Sequence, residues 1–415
     1  MWKKFVFGLQ MTSDYFADEI KIIMHDAGAV LIFIVAMVAY PLLYSLGYMD
    51  ETIREIPIAV VDMDHSQISR QYSRMADATE QLKVVYKPQS LKEAEQLFYD
   101  GKINGVILIP KDFEKDIYKG QQTNVTVYCD ASYFLLYKQV YSGAIYSTGT
   151  LGAGVEIKHL LAQGNTIKQA MDKRNPLNVN AYNLYNPAGG YGTFVIPGIL
   201  IIILQQTLMI GIGLIGGTIR ERRRYIYLIK PAQLPGGSFV AVMGKTFAYI
   251  FIYLFNIIFT LVMLHNWFHL PDKSGFLPTL FLIIPFLFAT AFLGLAISFL
   301  FRRRVHSLLF MVFLSPSILF LTGMSWPVES LPPFLYLLAH VFPSTMTVPA
   351  YIRMRTCGAG LSSVTYEWVF LLIQMVVYCL LACLTYKFAM KRLEKEYNEE
   401  ARMHRENYEL GHLNE

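Results

Sequence analysis

The amino-acid sequence predicts an α-helical polytopic membrane protein with six transmembrane helices and an extracytoplasmic α/β domain inserted between helices 1 and 2. Three observations support this fold class. Of the 415 residues, 54% are hydrophobic and only 16% are charged, whereas about a quarter of the residues in a soluble domain are charged. Long windows without charge recur along the chain. A polar stretch at residues 50–190 separates the first window from the second.

The charge-free windows define the spans. A spanning helix needs about 20 mostly apolar residues. Six windows contain such a core, at about residues 27–48, 194–217, 246–265, 277–300, 305–323 and 368–386. A further window, 330–352, is interrupted by four prolines, and each proline removes a backbone donor. We therefore expect short helices at the membrane surface there, or a re-entrant segment.

Basic residues set the expected orientation. The polar stretch 50–190 is nearly neutral, with 15 Lys and Arg against 16 Asp and Glu, so the net charge of +5 comes from the rest of the chain. Most of the remaining basic residues precede the first span, follow the last, or lie in the loops 220–230 and 302–304. Because cytoplasmic segments carry the excess of Lys and Arg, both termini are predicted in the cytoplasm and the 50–190 domain outside.

The predicted organisation follows the chain from end to end. It comprises a cytoplasmic amphipathic surface helix at 1–25, transmembrane helix 1 at 26–49, the extracytoplasmic α/β domain at 50–190, transmembrane helices 2–6 at 191–386 with an external loop at 324–366, and a cytoplasmic tail at 387–415. In the first segment, apolar residues from Trp2 to Ile23 recur at helical spacing, which is typical of a helix lying on a membrane.

Strand and helix patterns alternate within the polar stretch, which favours an α/β domain. The pattern predicts strands at 56–61, 82–86, 105–109 and 124–129, helices at 66–76, 91–99, 111–118 and 133–162, and a returning strand at 178–185.

Two carboxylates follow the first strand. Asp62 and Asp64 resemble the nucleophile loop of haloacid-dehalogenase phosphatases, in which carboxylates bind magnesium and attack phosphate. No downstream lysine or acidic pair completes that site, so we favour a strand end with Asp64 or Ser66 capping the next helix.

Cys129 and Cys357 are both predicted outside, where they either pair or stay free.

Gly244-Lys245-Thr246 is the second motif that suggests phosphate chemistry. A phosphate-binding loop needs a glycine five positions before its Gly-Lys pair, and position 239 is Phe. The histidines show no ligand spacing, and the basic residues follow the membrane boundary. We therefore predict no catalytic residue, no metal, no bound cofactor and no nucleic-acid binding.

The predicted spans are almost free of ionisable residues, and Lys245 and His265 lie at span ends. Ion-coupled transporters usually keep such residues at the middle of the bilayer. Electrochemical coupling is therefore disfavoured, and energy for any transport is expected from another chain.

The layout resembles the permease subunits of type-2 ABC exporters, in the branch with a large extracytoplasmic domain after the first span. The matching segments are Ile58–Asp62, Tyr185-Asn186-Pro187, Phe194–Gly198, Arg220-Glu221-Arg222, Lys230-Pro231, Gly244-Lys245, Gly323–Pro332 and Phe342-Pro343. The resemblance implies a homodimer or a heterodimer with a second permease. It also implies a separate ABC ATPase subunit that holds the ATP and magnesium.

The resemblance also assigns three sets of site residues. The ATPase-coupling set is Arg220, Glu221, Arg222, Arg223, Arg224, Lys230 and Pro231. The surface-helix coupling set is Phe5, Leu9, Phe16 and Ile20. The external gate loop contributes Gly323, Trp326, Pro327, Glu329, Pro332 and Pro343. The arginine cluster has a simpler interpretation as a positively charged membrane anchor.

The expected function is a permease in the bacterial inner membrane that exports an amphipathic, lipid-like or drug-like compound and is not itself an enzyme. A periplasmic adaptor is a further candidate partner. The alternative is a non-transporting membrane anchor whose outer domain binds a ligand or assembles an envelope complex. An ion-coupled carrier is a third and weaker hypothesis.

Overall fold

The computed structural model describes residues 2–221, 236–301 and 303–412. The chain divides into two compact units. The membrane unit combines Met1–Met49 with Leu184–Glu415, and the α/β unit is Asp50–Asn183. In chain order the elements are α1 (Trp2–Met24), α2 (Ala27–Gly47), β1 (Ile56–Asp62), α3 (Gln67–Asp77), β2 (Leu82–Tyr86), α4 (Leu91–Tyr99), β3 (Gly105–Ile109), α5 (Phe113–Tyr118), β4 (Thr126–Cys129), α6 (Phe134–Ala162), α7 (Ile167–Arg174), α8 (Tyr191–Glu221), α9 (Gly237–Trp267), α10 (Phe276–Ser298), α11 (Arg304–Leu321), α12 (Pro333–Ala339), α13 (Pro343–Arg355) and α14 (Thr365–His412).

Across the described ranges, six helices of the membrane unit are long and apolar enough to cross a bilayer, and this number equals the number of spans that the sequence predicts. They are α2, α8, α9, α10, α11 and the first part of α14. Helix α8 is the most deeply buried of the six, whereas less than a third of the apolar stretch of α2, α11 or α14 is buried. A chain with such apolar exposed faces belongs in hydrocarbon, where lipid or another protomer covers them.

Small residues let the spanning helices approach closely. A Cβ atom on Gly213 would lie 2.9 Å from Ser307 Oγ, and one on Gly217 would lie 2.5 Å from the Cα of Arg304. These two glycines of α8 therefore pack against α11 of the same chain. Both close contacts therefore serve helix packing within one chain.

The window 330–352 forms two short helices, α12 and α13. At the start of α13 the Ser344 amide donates to Gln205 Oε1 at 2.8 Å, and Gln205 Nε2 donates to Ser344 Oγ at 2.9 Å. Gln205 lies 14 residues into α8, about 21 Å along its axis. Helix α13 is therefore buried beside the middle of a spanning helix, as in the re-entrant alternative, whereas α12 exposes Phe334 and Leu337.

The α/β unit contains a four-stranded sheet in the order β2-β1-β3-β4. Strand β1 pairs in parallel with β2 and β3, and β4 is antiparallel to β3. Ile58 and Val60 face a core that includes Tyr72 of α3, whereas Ala59 and Val61 face α4. Because both faces of β1 are covered, its sequence is a continuous apolar run without alternation.

The predicted returning strand at 178–185 is wrong. The segment 175–190 has no strand or helix. Leu177, Val179 and Tyr182 are each more than 80% exposed, and Tyr185 adopts a φ of 66°. An extended segment becomes a strand only when a sheet edge supplies hydrogen bonds, and a positive φ at Tyr185 interrupts extended backbone.

Candidate functional site

Helix α1 crosses the spanning helix α9 at Gly244. A Cβ atom at this position would lie 2.6 Å from Tyr15 Cβ and 2.7 Å from the Thr12 carbonyl oxygen. Any side chain on residue 244 would therefore push α1 away. The glycine of the Gly-Lys motif serves close helix packing, which is a physical use unrelated to phosphate binding.

Lys245, the next residue, joins the same two helices through a buried ion pair. Its Nζ lies 2.5 Å from Glu19 Oε2, and the Tyr249 hydroxyl donates to the other carboxylate oxygen of Glu19. Glu19 is 2% exposed and Lys245 is 4% exposed. One carboxylate of α1 thus binds two groups that lie one turn apart on α9, so α1 is fixed in rotation as well as in position.

The surface-helix set is only partly placed against the bundle. The Phe16 ring packs edge-on against Phe251 of α9, with 5.8 Å between ring centroids. Ile20 is half-buried, and Leu9 is 56% exposed. The side chain of Phe5 lies outside the described residues. The contacting face of α1 is instead centred on Tyr15, Glu19 and Ile23.

A second buried carboxylate, Asp26, lies at the start of α2. Arg304 donates to both of its oxygens, at 2.6 and 3.0 Å, and the Ala29 amide donates at 3.1 Å as the helix cap. Burial alone would raise the pKa of Asp26, but the hydrogen bonds from Arg304 and the Ala29 amide and the charge of Arg304 bring it below its ordinary value. The Arg304 amide in turn donates to Glu221 at the end of α8.

Arg220 holds the end of α8 against α10. Its guanidinium donates to the carbonyls of Ser298 and Phe301, and its Nε donates to the Gly216 carbonyl at 3.1 Å. The carbonyls at a helix C-terminus lack intrahelical partners and attract positive charge. Arg220 is only 8% exposed, so it acts from the interior of the bundle.

Six charged residues join α1, α2, α8, α9, α10 and α11 at one end of the membrane unit, and we call them the polar belt. They are Glu19, Asp26, Arg220, Glu221, Lys245 and Arg304. Two members of the predicted ATPase-coupling set, Arg220 and Glu221, belong to it. The other five, Arg222, Arg223, Arg224, Lys230 and Pro231, lie outside the described residues. The belt consists of buried ion pairs and hydrogen bonds that hold α1 and the ends of the spanning helices together.

The gate residues lie at the other end of α8 and do not form one cluster. Gly323 has a φ of 87° and turns the chain after α11, and the next residue, Met324, packs onto Gly198 of α8. Pro343 is buried as the first residue of α13. Trp326, Pro327, Glu329 and Pro332 are exposed.

Sequence reasoning missed the role of Arg355, which lies in the predicted external loop at 324–366. Its side chain is fully buried, forms an ion pair with Asp272 at 2.8 Å, and donates to the Leu261 carbonyl at 2.5 Å. Leu261 lies in a π-helical turn of α9, Phe259–Met263, where the altered backbone frees a carbonyl.

In the α/β unit the carboxylates after β1 are used for local structure. Asp62 Oδ1 accepts from the amides of Asp64 and His65, both at 3.0 Å, and Oδ2 accepts from the Ser69 hydroxyl at 2.6 Å. Ser66 caps α3 by accepting from the Ser69 amide. These bonds support the capping interpretation.

Within the described ranges, no group of three His, Cys, Asp or Glu residues could hold a metal ion. Cys129 and Cys357, the two cysteines that the sequence places outside, are free thiols in the structure.

An apolar groove of about 650 Å³ opens between α9, α10 and α14. Its walls are aromatic and aliphatic side chains, including Phe247, Phe288 and Trp368. Because all three helices are long and apolar enough to span a membrane, hydrocarbon chains are the groups that this groove can accommodate.

Comparison with protein families agrees with this architecture. Residues 28–384 match the family model described as ABC-2 family transporter protein, from the first span to the last. No curated protein matches the chain. Since the match covers most of the sequence, including all six membrane-capable helices at least in part, the chain belongs to the ABC-2 family of transporter membrane subunits.

Proposed function

We propose that this chain is the permease of an ATP-driven exporter that moves an amphipathic, lipid-like or drug-like compound out of the cytoplasm or the inner leaflet. The polar belt is the observation that carries the proposal. Helix α1 is joined to α9 by a buried ion pair, and Arg304 joins α2, α8 and α11. A force applied to α1 therefore reaches α9 through this ion pair, and it reaches the contacts of Arg304 through the chain that leads from α1 to Asp26.

The proposed orientation places the polar belt in or next to the cytoplasm and the α/β unit outside, in the bacterial inner membrane. The excess of Lys and Arg in the loops on the α1 side supports it. A separate ABC ATPase would dock near α1 and the 222–231 loop and would hold ATP and magnesium. The exposed apolar faces of α2 and α11 are suited to a second permease, identical or not, and a periplasmic adaptor would meet the outer unit.

The transport route would run beside α8 towards the gate residues. Met324 on Gly198 and Ser344 on Gln205 attach the turn after α11 and the re-entrant α13 to α8. Movement of α8 at the belt would therefore reach both contacts. Closure of two ATPase subunits would supply the movement, and separation of these contacts would open the route.

Replacing Gly244 tests coupling directly. The full chain with its co-encoded ATPase, reconstituted in liposomes, should hydrolyse ATP faster when an amphipathic substrate is added. Gly244→Val should displace α1 and remove most of this stimulation, because the new side chain would meet the Thr12 carbonyl. Gly294→Ala is the matched control, since its Cβ would lie 3.3 Å from the flexible end of Ile212. Equal stimulation in both variants, or the absence of any ATPase partner, would contradict the proposal.

The alternative function, a membrane anchor with an outer binding module, is favoured by one observation: Asp50–Asn183 forms a compact unit of its own. Deleting most of residues 60–180 separates the two. An exporter whose α/β unit lines the route loses substrate-stimulated hydrolysis, whereas a docking module loses only the assembly with its partner.

A further inference from the structure

The α/β unit contains a polar cleft of about 240 Å³ at the carboxyl ends of β1 and β2. Its walls come from the end of β1, the first turns of α3 and the segment after β2. The lining residues are Val60, Asp62, His65, Arg70, Ser73, Lys87, Pro88 and Gln89. In open sheets with parallel strands, ligands bind in crevices beyond the carboxyl ends of the strands.

Two cations line this cleft without a carboxylate partner. In the part of the chain that the structure describes, neither Arg70 nor Lys87 forms an ion pair. Other cations of the unit do pair with acids, such as Lys83 with Glu55. Unpaired surface lysines are common, but two cations that line the same small cleft raise its potential and favour an anion.

Asp62, the acidic residue of the cleft, forms no ion pair with either cation within the part of the chain that the structure describes. Its two oxygens accept three hydrogen bonds from Asp64, His65 and Ser69. With His65 neutral, the charged groups of the lining sum to +1. The carboxylate is thus occupied in shaping the loop, and the guanidinium and ammonium groups stay available to a ligand.

The loop over the cleft is held in an unusual conformation. His65 adopts a φ of 54°, which is uncommon for a residue other than glycine. Arg70 Nη1 fixes it by donating to the His65 carbonyl at 2.6 Å. This contact orients the guanidinium and leaves its other N–H groups unused by the described residues. A guanidinium presents several donors in a fixed plane, which matches the oxygens of phosphate or carboxylate.

From this geometry we infer that the α/β unit binds a small oxyanion, phosphate or carboxylate, between Arg70 and Lys87. The anion is either free or the head group of an amphiphile. The cleft volume of about 240 Å³ is below the range of about 300–1,000 Å³ that is typical of pockets for drug-sized ligands, and it suits a charged head group. Ser73 and Gln89 supply further polar groups at the cleft. The inference does not depend on the proposed transport function.

Calorimetric titration of the purified full chain with inorganic phosphate tests the site. The chain is kept in a non-ionic detergent at low salt, because exposed charges are strongly screened at high ionic strength. Saturable binding is expected for the unmodified chain. Lys87→Gln should weaken it about tenfold or more, as expected for the loss of a charge-assisted hydrogen bond. Lys87 is exposed and forms no hydrogen bond or ion pair among the described residues, so this variant should keep the fold.

Arg74→Gln and Lys92→Gln are the matched controls. Both residues are exposed cations of the same unit, and neither lines the cleft. Their phosphate affinity should stay within about twofold of the unmodified chain. Arg70→Gln should lose binding as Lys87→Gln does. Binding that does not saturate, or that falls equally in the controls and in Lys87→Gln, would overturn the site.

A second titration, with dodecyl phosphate in mixed micelles, distinguishes the two sources of the anion. Tighter binding of dodecyl phosphate than of inorganic phosphate, lost in Lys87→Gln, identifies an amphiphile head group. Equal affinities identify a free oxyanion. Dodecyl phosphate binding that Lys87→Gln leaves unchanged would count against the cleft.

Discussion

Ion pairs in the membrane unit and in the α/β unit join the same kinds of residue but differ in exposure. Lys245 and Glu19 are at most 5% exposed, and Arg355 is fully buried. In the α/β unit, Lys83 and Glu55 are 57% and 69% exposed, and Lys115 and Asp112 are similar. Ion pairs with nearly equal N–O distances therefore differ in how much they contribute to the free energy of unfolding.

The difference follows from solvation. An exposed pair keeps its water, and its attraction is screened, so it contributes about 0–1 kcal/mol. In a buried pair both charges have lost their water, and removing one partner leaves the other without compensation at a cost of about 3–5 kcal/mol. The most costly pair to break in the polar belt is therefore the one between α1 and the spanning helix α9. Substitution of a paired charged residue on the surface of the α/β unit should cost little stability.

The largest effect is expected from single substitutions in the Glu19–Lys245 pair. Lys245→Met or Glu19→Leu should each destabilise the membrane unit by about 3–5 kcal/mol, because one buried group loses its partner. Thermal unfolding of the detergent-solubilised chain measures this loss. The double variant Glu19→Leu with Lys245→Met should recover much of the stability, since apolar side chains of similar size replace both charges.

The double variant also separates stability from coupling. It should recover the melting temperature but leave substrate-stimulated ATP hydrolysis reduced, because the charged link between α1 and α9 is gone. Additive losses of stability in the double variant would show that the two side chains act independently, contrary to the geometry.

The contrast also explains what sequence reasoning could and could not find. Charge-free windows located the spans because length and composition are local properties, and the strand pattern of residues 56–109 was local too. Glu19 and Lys245 are 226 positions apart, and Arg220 contacts carbonyls near residue 300, so neither contact leaves a local signal. The same holds for Arg355, which the sequence places in the external loop at 324–366. The incorrect prediction of a strand at 178–185 shows the converse. The local sequence pattern is typical of a strand, but this segment does not pair with the edge of the described sheet.

An intermediate effect is expected from the Asp26–Arg304 pair, in which the acid is buried and Arg304 is 30% exposed. Arg304→Gln should cost about 1–2 kcal/mol at pH 7, as for a partly solvated charge-assisted bond. The lowered pKa of Asp26 means that its contribution is complete above the unfolded-state value, about 3.9, and is lost as the pH falls through the folded value.

Melting temperatures measured from pH 3 to pH 7 test this sign. The unmodified chain should lose part of its stability below about pH 4, where unfolded aspartate binds a proton more readily than Asp26 does. Asp26→Asn should flatten this part of the curve. A variant curve parallel to that of the unmodified chain would assign the acid sensitivity to other groups.

The smallest effect is expected at Lys83, whose ammonium lies 2.8 Å from Glu55 at the start of β1. The hydrogen bond and the charge of Glu55 raise the pKa of Lys83, so the pair contributes fully below the ordinary lysine value and is lost as the pH rises through the raised value. At pH 7 the pair is intact but screened by water and salt. Lys83→Gln should therefore leave the amide hydrogen exchange of β1 and β2 unchanged at 0.15 M salt, with a slight acceleration at low salt. A change as large as that caused by Lys245→Met would mean that exposure does not separate the two kinds of pair.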